Sequence, residues 1–391
     1  MKQVAGLIST YSSDEFGICS ALYELGGMVV MHDASGCNST YTTHDEPRWY
    51  EVDSMIYISA ISEMEAIMGD DDKLIGDLVE TAGELHPGFI AVVGAPIPYM
   101  IGTDLGAIAA ITEKRTGIPC FGFSANGMQN YTKGISMALE KIVERFCIRE
   151  IAGTKNLSVN IIGATPLDFS VNGSVDSIKE WIQEQGMEVG ACFAMGSTME
   201  EIEKAGQARV NLVVSYGGLA AAKKLKEIFG TPYVVGVPLG KAFAEYLGNA
   251  VKKAAETGEC VIGYRDADIC GEETVTGSLK SLAVIGESVY SASLAAAIRM
   301  ECGIDARVFC PLDTEPELLR EGDLLTPEED DLMEHLPEAE GVIADPLYRP
   351  LCSENIKFYP LPHEAFSGRI YDAVNPDLVN RELRKVEVRE C

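Results

Sequence analysis

The 391-residue chain sets 60 acidic side chains against 31 basic ones, for a formal net charge of −29, with 47% hydrophobic residues and 38 glycines. That length exceeds one ordinary core and predicts two or three domains. The acidic surface would repel phosphate backbones and anionic membranes, which excludes nucleic acid and membrane surfaces as expected partners.

No run reaches the ~18 uninterrupted apolar residues of a membrane span. The opening "MKQVAGLISTYSSDEFG" lacks the apolar run and cleavage site of an export signal. Eleven cysteines, an odd number with no CxxC spacing, suit free thiols in a reducing cytoplasm. Those in apolar runs such as "GIPCFGF" and "ARVFCPL" read as small buried hydrophobes.

Short apolar strands alternate with amphipathic helices along the chain. "GMVVM" and "GFIAVVGAP" read as buried strands, the second followed by the helix "TDLGAIAAITEKRTG"; then come the strand "IPCFGFSA" and the helix "GISMALEKIVERFC". Strands without polar alternation indicate parallel sheets covered on both faces. The series restarts with "SVNIIGATP", "VDSIKEWIQEQG", "MEVGACFAMG", "TMEEIEKAGQA", "VNLVVSY", "GLAAAKKLKEIFG" and "TPYVVGVPLG". It restarts again with "SLAVIGE", "YSASLAAAIRMECG", "DARVFCP", "AEGVIADP" and "IKFYPLP". The prediction is an α/β protein of three successive doubly wound, Rossmann-like parallel-sheet domains, at 1–152, 153–275 and 276–391. The acidic segment "EGDLLTPEEDDLMEHLPEAEG" reads as a solvated helix with its connections.

Parallel sheets bind ligands beyond the carboxyl ends of their strands, which selects the loops after "GMVVM", "VVGAP", "CFGFSA", "NIIGATP", "AVIGE" and "VIADP". No Walker A motif and no GxGxxG after a strand is found, so neither an ATP nor an NAD site is expected in this chain. GxSxG, HExxH and the common zinc spacings are also missing. "GESVYSASL" offers helix N-terminal amides to an anion, or is simply a capped helix start.

The loop after "GMVVM", "MHDASGCNSTYTTHDEPRWYE" at 31–51, holds two of the five histidines together with Cys37, several carboxylates and Arg48. A thiolate with imidazole suits iron or zinc, and neighbouring acids can relay protons. The alternative is turn chemistry at Asp33 and Ser35 and a helix start at Asp45 and Glu46. One cysteine cannot hold a cluster, so other ligands or a symmetric partner would have to contribute. Cys19, at the start of "FGICSALYELGG", reads either as core or as such a ligand.

The stretch from His32 to Cys37, "VVMHDASGC" with its strand, resembles the His-Gly-x-x-Gly-Cys motif of nitrogenase component 1. Glu63, Gly69, Lys73, Leu74, Pro87, Ile101, Gly102 and Asp104 stand where that family has its Glu, glycine turn, Lys-Leu, Pro and Ile-Gly-Asp-Asp sequence. "TGIPCFGFSANGM" is similar to its next strand and glycine loop, and "VNIIGATP", "FGTPYVVGVPLG" and "AVIGESVYSASLA" fit its later domains.

The resemblance implies a three-domain subunit that pairs as a homodimer or with a related subunit. A 4Fe–4S iron–sulfur cluster would sit at the subunit interface, fed by a separate ATP-hydrolysing iron protein, and a small-molecule substrate or metal cofactor would bind between the domains. Cys37 matches the second of the family's three interface cysteines. Pro96 occupies the place of the third, and Cys19 is displaced from the place of the first, where Asp14 or Glu15 could substitute. Cys37 and Cys19 are thus the expected metal ligands, with Glu15 and His32 beside them. His44, Asp45, Glu46 and Arg48 are expected as proton donors or anion contacts. Cys260, Cys270 and His363 do not match the family's cofactor ligands in context; His363, after "IKFYPLP", either faces the cleft between domains or is a surface or turn histidine. Dinitrogen reduction is not expected. The rival reading is a non-catalytic scaffold that holds a metal, a metal chelate or a precursor cluster in the same cleft.

Overall fold

The computed structural model describes residues 6, 12–36, 38, 41, 46–148, 153–154, 156–267, 279–371 and 375–383. Residues 152 and 275, the expected domain limits, lie outside that set.

The first unit runs α1 (Asp14–Leu22), β1 (Met28–Met31), β2 (Met55–Ile58), α2 (Glu63–Met68), α3 (Asp71–Leu85), β3 (Ile90–Val93), α4 (Pro96–Ile101), α5 (Leu105–Thr116), β4 (Cys120–Phe123) and α6 (Tyr131–Phe146). The second comprises β5 (Ser158–Ile162), α7 (Pro166–Phe169), α8 (Ser174–Glu184), β6 (Glu188–Cys192), α9 (Met199–Glu203), β7 (Val210–Val213), α10 (Leu219–Phe229), β8 (Tyr233–Val235), α11 (Lys241–Thr257) and β9 (Val261–Ile262). The third contains β10 (Ser281–Ile285), α12 (Ser288–Cys302), β11 (Asp305–Cys310), β12 (Leu324–Leu325), α13 (Glu329–His335), β13 (Gly341–Ala344), β14 (Lys357–Pro360) and α14 (Glu364–Ser367).

The strand orders are β2-β1-β3-β4, β6-β5-β7-β8-β9 and β12-β11-β10-β13-β14, and every pairing is parallel. Strands β1, β3, β5 and β7 are buried at every position, as sheets covered on both faces require. In each sheet the order reverses around its first strand, between β1 and β3, β5 and β7, and β10 and β13. At such a reversal adjacent crossovers leave to opposite faces and open a crevice at the strands' carboxyl ends. His32 and Gly94 stand at the first reversal, Thr165 and Ser215 at the second, and Glu287 and Asp345 at the third.

One apolar core runs through all three sheets, and a second, around Leu74, Ile75, Ile108 and Ile90, covers the outer face of the first. Helices α1 and α6 cross backbone to backbone at two glycines. A Cβ on Gly17 would collide with the Tyr131 carbonyl, and one on Gly134 with that of Asp14. This crossing fixes the first turn of α1, with Asp14 and Glu15, against the first turn of α6, with Tyr131. Among the described residues no helix is long and apolar enough to cross a membrane.

Candidate functional site

At the first sheet's reversal, the His32 N–H continues the ladder to the Val93 carbonyl at 2.8 Å, and the His32 Nδ1 meets the Ser59 Oγ at 2.8 Å. Burial holds the imidazole below its ordinary value, so it stands here as a neutral, oriented ring. The next residue, Asp33, accepts from Asn38 Nδ2 at 3.0 Å and its carbonyl from Ile61 N–H at 2.9 Å. Both flanks of the turn that leads into Cys37 are therefore pinned. Cys37 itself, with His44 and Asp45, lies outside the described residues.

Helix α1 points its acidic first turn at this region. Asp14 accepts the backbone N–H groups of Asn126 at 3.0 Å and Gly127 at 2.9 Å, and burial still lifts its carboxyl above the ordinary range. Burial, then the neighbouring charges of Asp14 and Asp33, push the Glu15 carboxyl up to about 7. Its Oε2 is buried with no hydrogen-bond partner. A Cβ on Gly127 would touch both that oxygen and the Pro96 ring, which places Glu15 beside Pro96. Pro96 opens α4 as a first-turn proline and supplies no ligand atom.

Cys19, expected as a metal ligand, follows Glu15 by one turn of α1 and packs into the core. It is fully buried in α1 within the main core, and burial, then the charges of Glu15 and Glu46, push its thiol well above the ordinary value.

Glu46 and Arg48 are also placed differently from the expectation of proton donor and anion contact. Arg48 donates from Nε to Glu46 at 2.6 Å, from Nη1 to Glu24 and the Ala194 carbonyl, both at 2.8 Å, and from Nη2 to the Ser20 carbonyl at 2.8 Å and its hydroxyl at 3.3 Å. All five guanidinium donors are consumed, and the group lies over the Tyr23 ring at 4.7 Å. Glu46 additionally accepts the Tyr41 hydroxyl at 3.0 Å. The pair clamps the first unit to the loop after β6 and leaves no free fork for an anion.

A second group forms where the three units meet, and α7 packs there against α1 and α14. The Tyr131 hydroxyl donates to Asp168 Oδ1 at 2.5 Å, and His363 Nε2 lies 3.4 Å from the same oxygen. His363 stacks on Phe366 at 4.3 Å, and its backbone N–H donates to Asp345. It is therefore largely buried at the junction instead of being a surface or turn residue. Asp168 Oδ2 and Thr165 Oγ1 are buried without partners.

Glu287 caps α12, accepting from Val289 and Tyr290, and takes the Tyr216 N–H of the second unit at 2.9 Å. The anion at "GESVYSASL" is thus the chain's own Glu287. Burial, then the Asp168 charge, raise its carboxyl to about 7. The loops carrying Asp168, Glu287 and Asp345 were legible as strand ends, but nothing in their local sequence singled out these side chains. Cys260 is exposed and away from this group, and Cys270 lies outside the described residues. No cluster of three or more His, Cys, Asp or Glu is arranged to hold a metal among the described residues.

Next to the first site the surface is unusually apolar. Helix α2 buries none of its residues and packs beside α4, leaving Met64, Ile67, Met68, Tyr99 and Met100 exposed, with Met128 on the loop behind Pro96. Such patches mark interaction faces, and methionine adapts to partner surfaces.

Three parallel sheets in series, each reversing its strand order beside its first strand, define an α/β protein of three doubly wound units. More narrowly, the chain belongs to the nitrogenase component 1 type oxidoreductase family, whose profile matches residues 25–315. It is 27% identical over 212 residues to the nitrogenase iron-molybdenum cofactor biosynthesis protein NifE of Clostridium pasteurianum, covering 50% of this chain and 44% of that protein. It is 25% identical over 186 residues to the nitrogenase molybdenum-iron protein alpha chain of the same organism, covering 46% and 33%. To a light-independent protochlorophyllide reductase subunit of Nostoc punctiforme it is 23% identical over 272 residues, covering 63% and 53%. The chain thus spans about half the length or less of these relatives. The solved structure of nitrogenase Cp1 at pH 5 superposes with a TM-score of 0.67 at 15% identity, over 97% of this chain and 88% of that one, a likeness of fold.

Proposed function

We propose that the chain is a nitrogenase-like reductase subunit, in which an iron–sulfur cluster is held between two subunits by Cys37 and Glu15 of each. The observation that carries this reading is the Glu15 carboxylate, buried beside Pro96 with one oxygen unpartnered. A buried acceptor without a partner is costly, and a cation would relieve both that cost and the crowding by Asp14 and Asp33. The described residues fit the group through this one carboxylate, and Cys19 drops out of the ligand set. When bound, the cluster supplies one-electron transfer.

The chain's own residues prepare that place. Asp14 fixes the loop at Asn126 and Gly127, while Ser59 orients His32 and Asn38 ties Asp33. The apolar face of α2 and α4 serves subunit or donor docking and excludes water from the electron path. Electrons come from a separate ATP-hydrolysing iron protein, and the substrate, a small molecule or metal cofactor, binds at the junction of the three domains. The similarity to a nitrogenase molybdenum-iron protein alpha chain and to a protochlorophyllide reductase subunit supports a redox subunit.

The second reading, a scaffold for a metal or precursor cluster, is favoured by Pro96 and by the burial of Cys19, which thin the ligand set, and by the likeness to a cofactor biosynthesis protein. Protein purified without oxygen tests the two. Stoichiometric iron and sulfide, with a broad visible band bleached by a low-potential reductant, is expected of the reductase. Substoichiometric iron with no such band rejects the reductase reading in favour of the scaffold.

A further inference from the structure

Tyr131, Asp168 and His363 come from the ends of three different sheets and meet within hydrogen-bonding or ion-pairing reach. Tyr131 follows β4, Asp168 follows β5 and His363 follows β14. The Asp168 side chain is sealed from solvent, with Tyr131 on one oxygen and no partner on the other. A buried carboxylate is tolerated only with a compensating charge or several hydrogen bonds. One phenol is too little. His363, 3.4 Å away, is the group placed to provide the charge.

We propose that this junction is a proton-operated latch: protonated His363 neutralises Asp168 and holds the third domain against the other two, and loss of that proton releases it. Four titratable groups face His363. They are Asp168 from α7, Tyr131 from α6, Glu364 on its own helix, and Asp345, which takes its backbone N–H. Behind Asp168 stands Glu287 from α12, bridging to the second domain through Tyr216. Because the Glu287 carboxyl lies at about 7, it becomes a second buried negative charge as pH rises through neutrality, which adds to the release. Release exposes the carboxyl ends of β5, β10 and β14. The latch is independent of the redox reading, since none of its residues is assigned to the cluster, and it operates with or without one.

Amide hydrogen exchange of the full chain between pH ~5.5 and ~8.5, corrected for the intrinsic rate, tests it over the range in which imidazole titrates. Segments 128–135, 163–170 and 361–367 should lose protection together, by ~10-fold or more, as pH rises, while β1 and β3 do not. In His363→Gln, made in the Glu287→Gln background so that this carboxyl no longer titrates, the three segments should be weakly protected and flat with pH. In Asp168→Asn, made in the same background, they should also be flat, which keeps the test decisive if the first variant fails to fold. Glu287→Gln alone should retain the step. A flat wild type, or a step that survives in either of the two double variants, overturns the latch. A step lost in Glu287→Gln but kept in His363→Gln overturns the assignment to histidine.

Discussion

The stretch 31–51 and the three-domain junction carry similar side chains and use them in opposite ways. The first is dense in sequence, yet the part of it that is placed divides into a pinned turn around His32 and Asp33 and a structural clamp at Glu46 and Arg48. The second is scattered over more than two hundred residues and assembles one hydrogen-bonded and ion-paired group with unsatisfied atoms left over. Crowding along a chain reports local chemistry, some of which is architecture. Unpaired polar atoms in a buried place report chemistry still to be completed. By that measure Glu15 and Asp168, not Arg48, are the informative side chains.

The largest effect should come from breaking the clamp. Arg48→Met leaves Glu46 and Glu24 without their cation and should cost on the order of 3–5 kcal/mol in urea unfolding. A cost below ~1 kcal/mol would return Arg48 to the solvated, functional class. Gly134→Ala drives a methyl into the Asp14 carbonyl and should cost on the order of 3 kcal/mol, moving Asp14 and Tyr131 together.

Glu287 should give the sharpest pH signature. Its folded-state carboxyl, at about 7, binds a proton more tightly than an ordinary glutamate, at 4.5. The native state therefore holds more protons, and stability falls as pH rises from ~4.5 to ~7, by up to about 3 kcal/mol, then levels. Glu287→Gln should flatten that slope in thermal melts run across this range. Tyr131→Phe removes one donor from a buried carboxylate and should cost about 2 kcal/mol. Cys19→Ala, a small change on a core face, should cost about 1 kcal/mol and leave any bound iron unchanged. Iron lost in that variant would restore Cys19 to the ligand set.

The three-sheet plan was legible because parallel strands buried on both faces read as uninterrupted apolar runs, as in "AVVGAP" and "NIIGATP". The strand orders were not, because such runs carry no mark of their neighbours. Strand β2 escaped notice because only one of its residues is fully buried. Helices α2 and α4 escaped for a related reason: their apolar side chains face outward, so no amphipathic period signals a core. Cys37 was singled out by motif and lies outside the described residues; Glu15 was singled out by its position at the missing cysteine and stands buried beside Pro96. The full burial of Cys19 in its helix was invisible to spacing, and Asp168 was missed because its partners are far away in sequence.

The most direct test of the redox account is iron and acid-labile sulfide per chain after anaerobic purification, in the wild type, Cys37→Ala and Glu15→Gln. The account predicts about four irons per pair of chains, as a 4Fe–4S cluster shared between them requires. It also predicts iron lost in Cys37→Ala and reduced in Glu15→Gln. Iron unchanged in Cys37→Ala would contradict it.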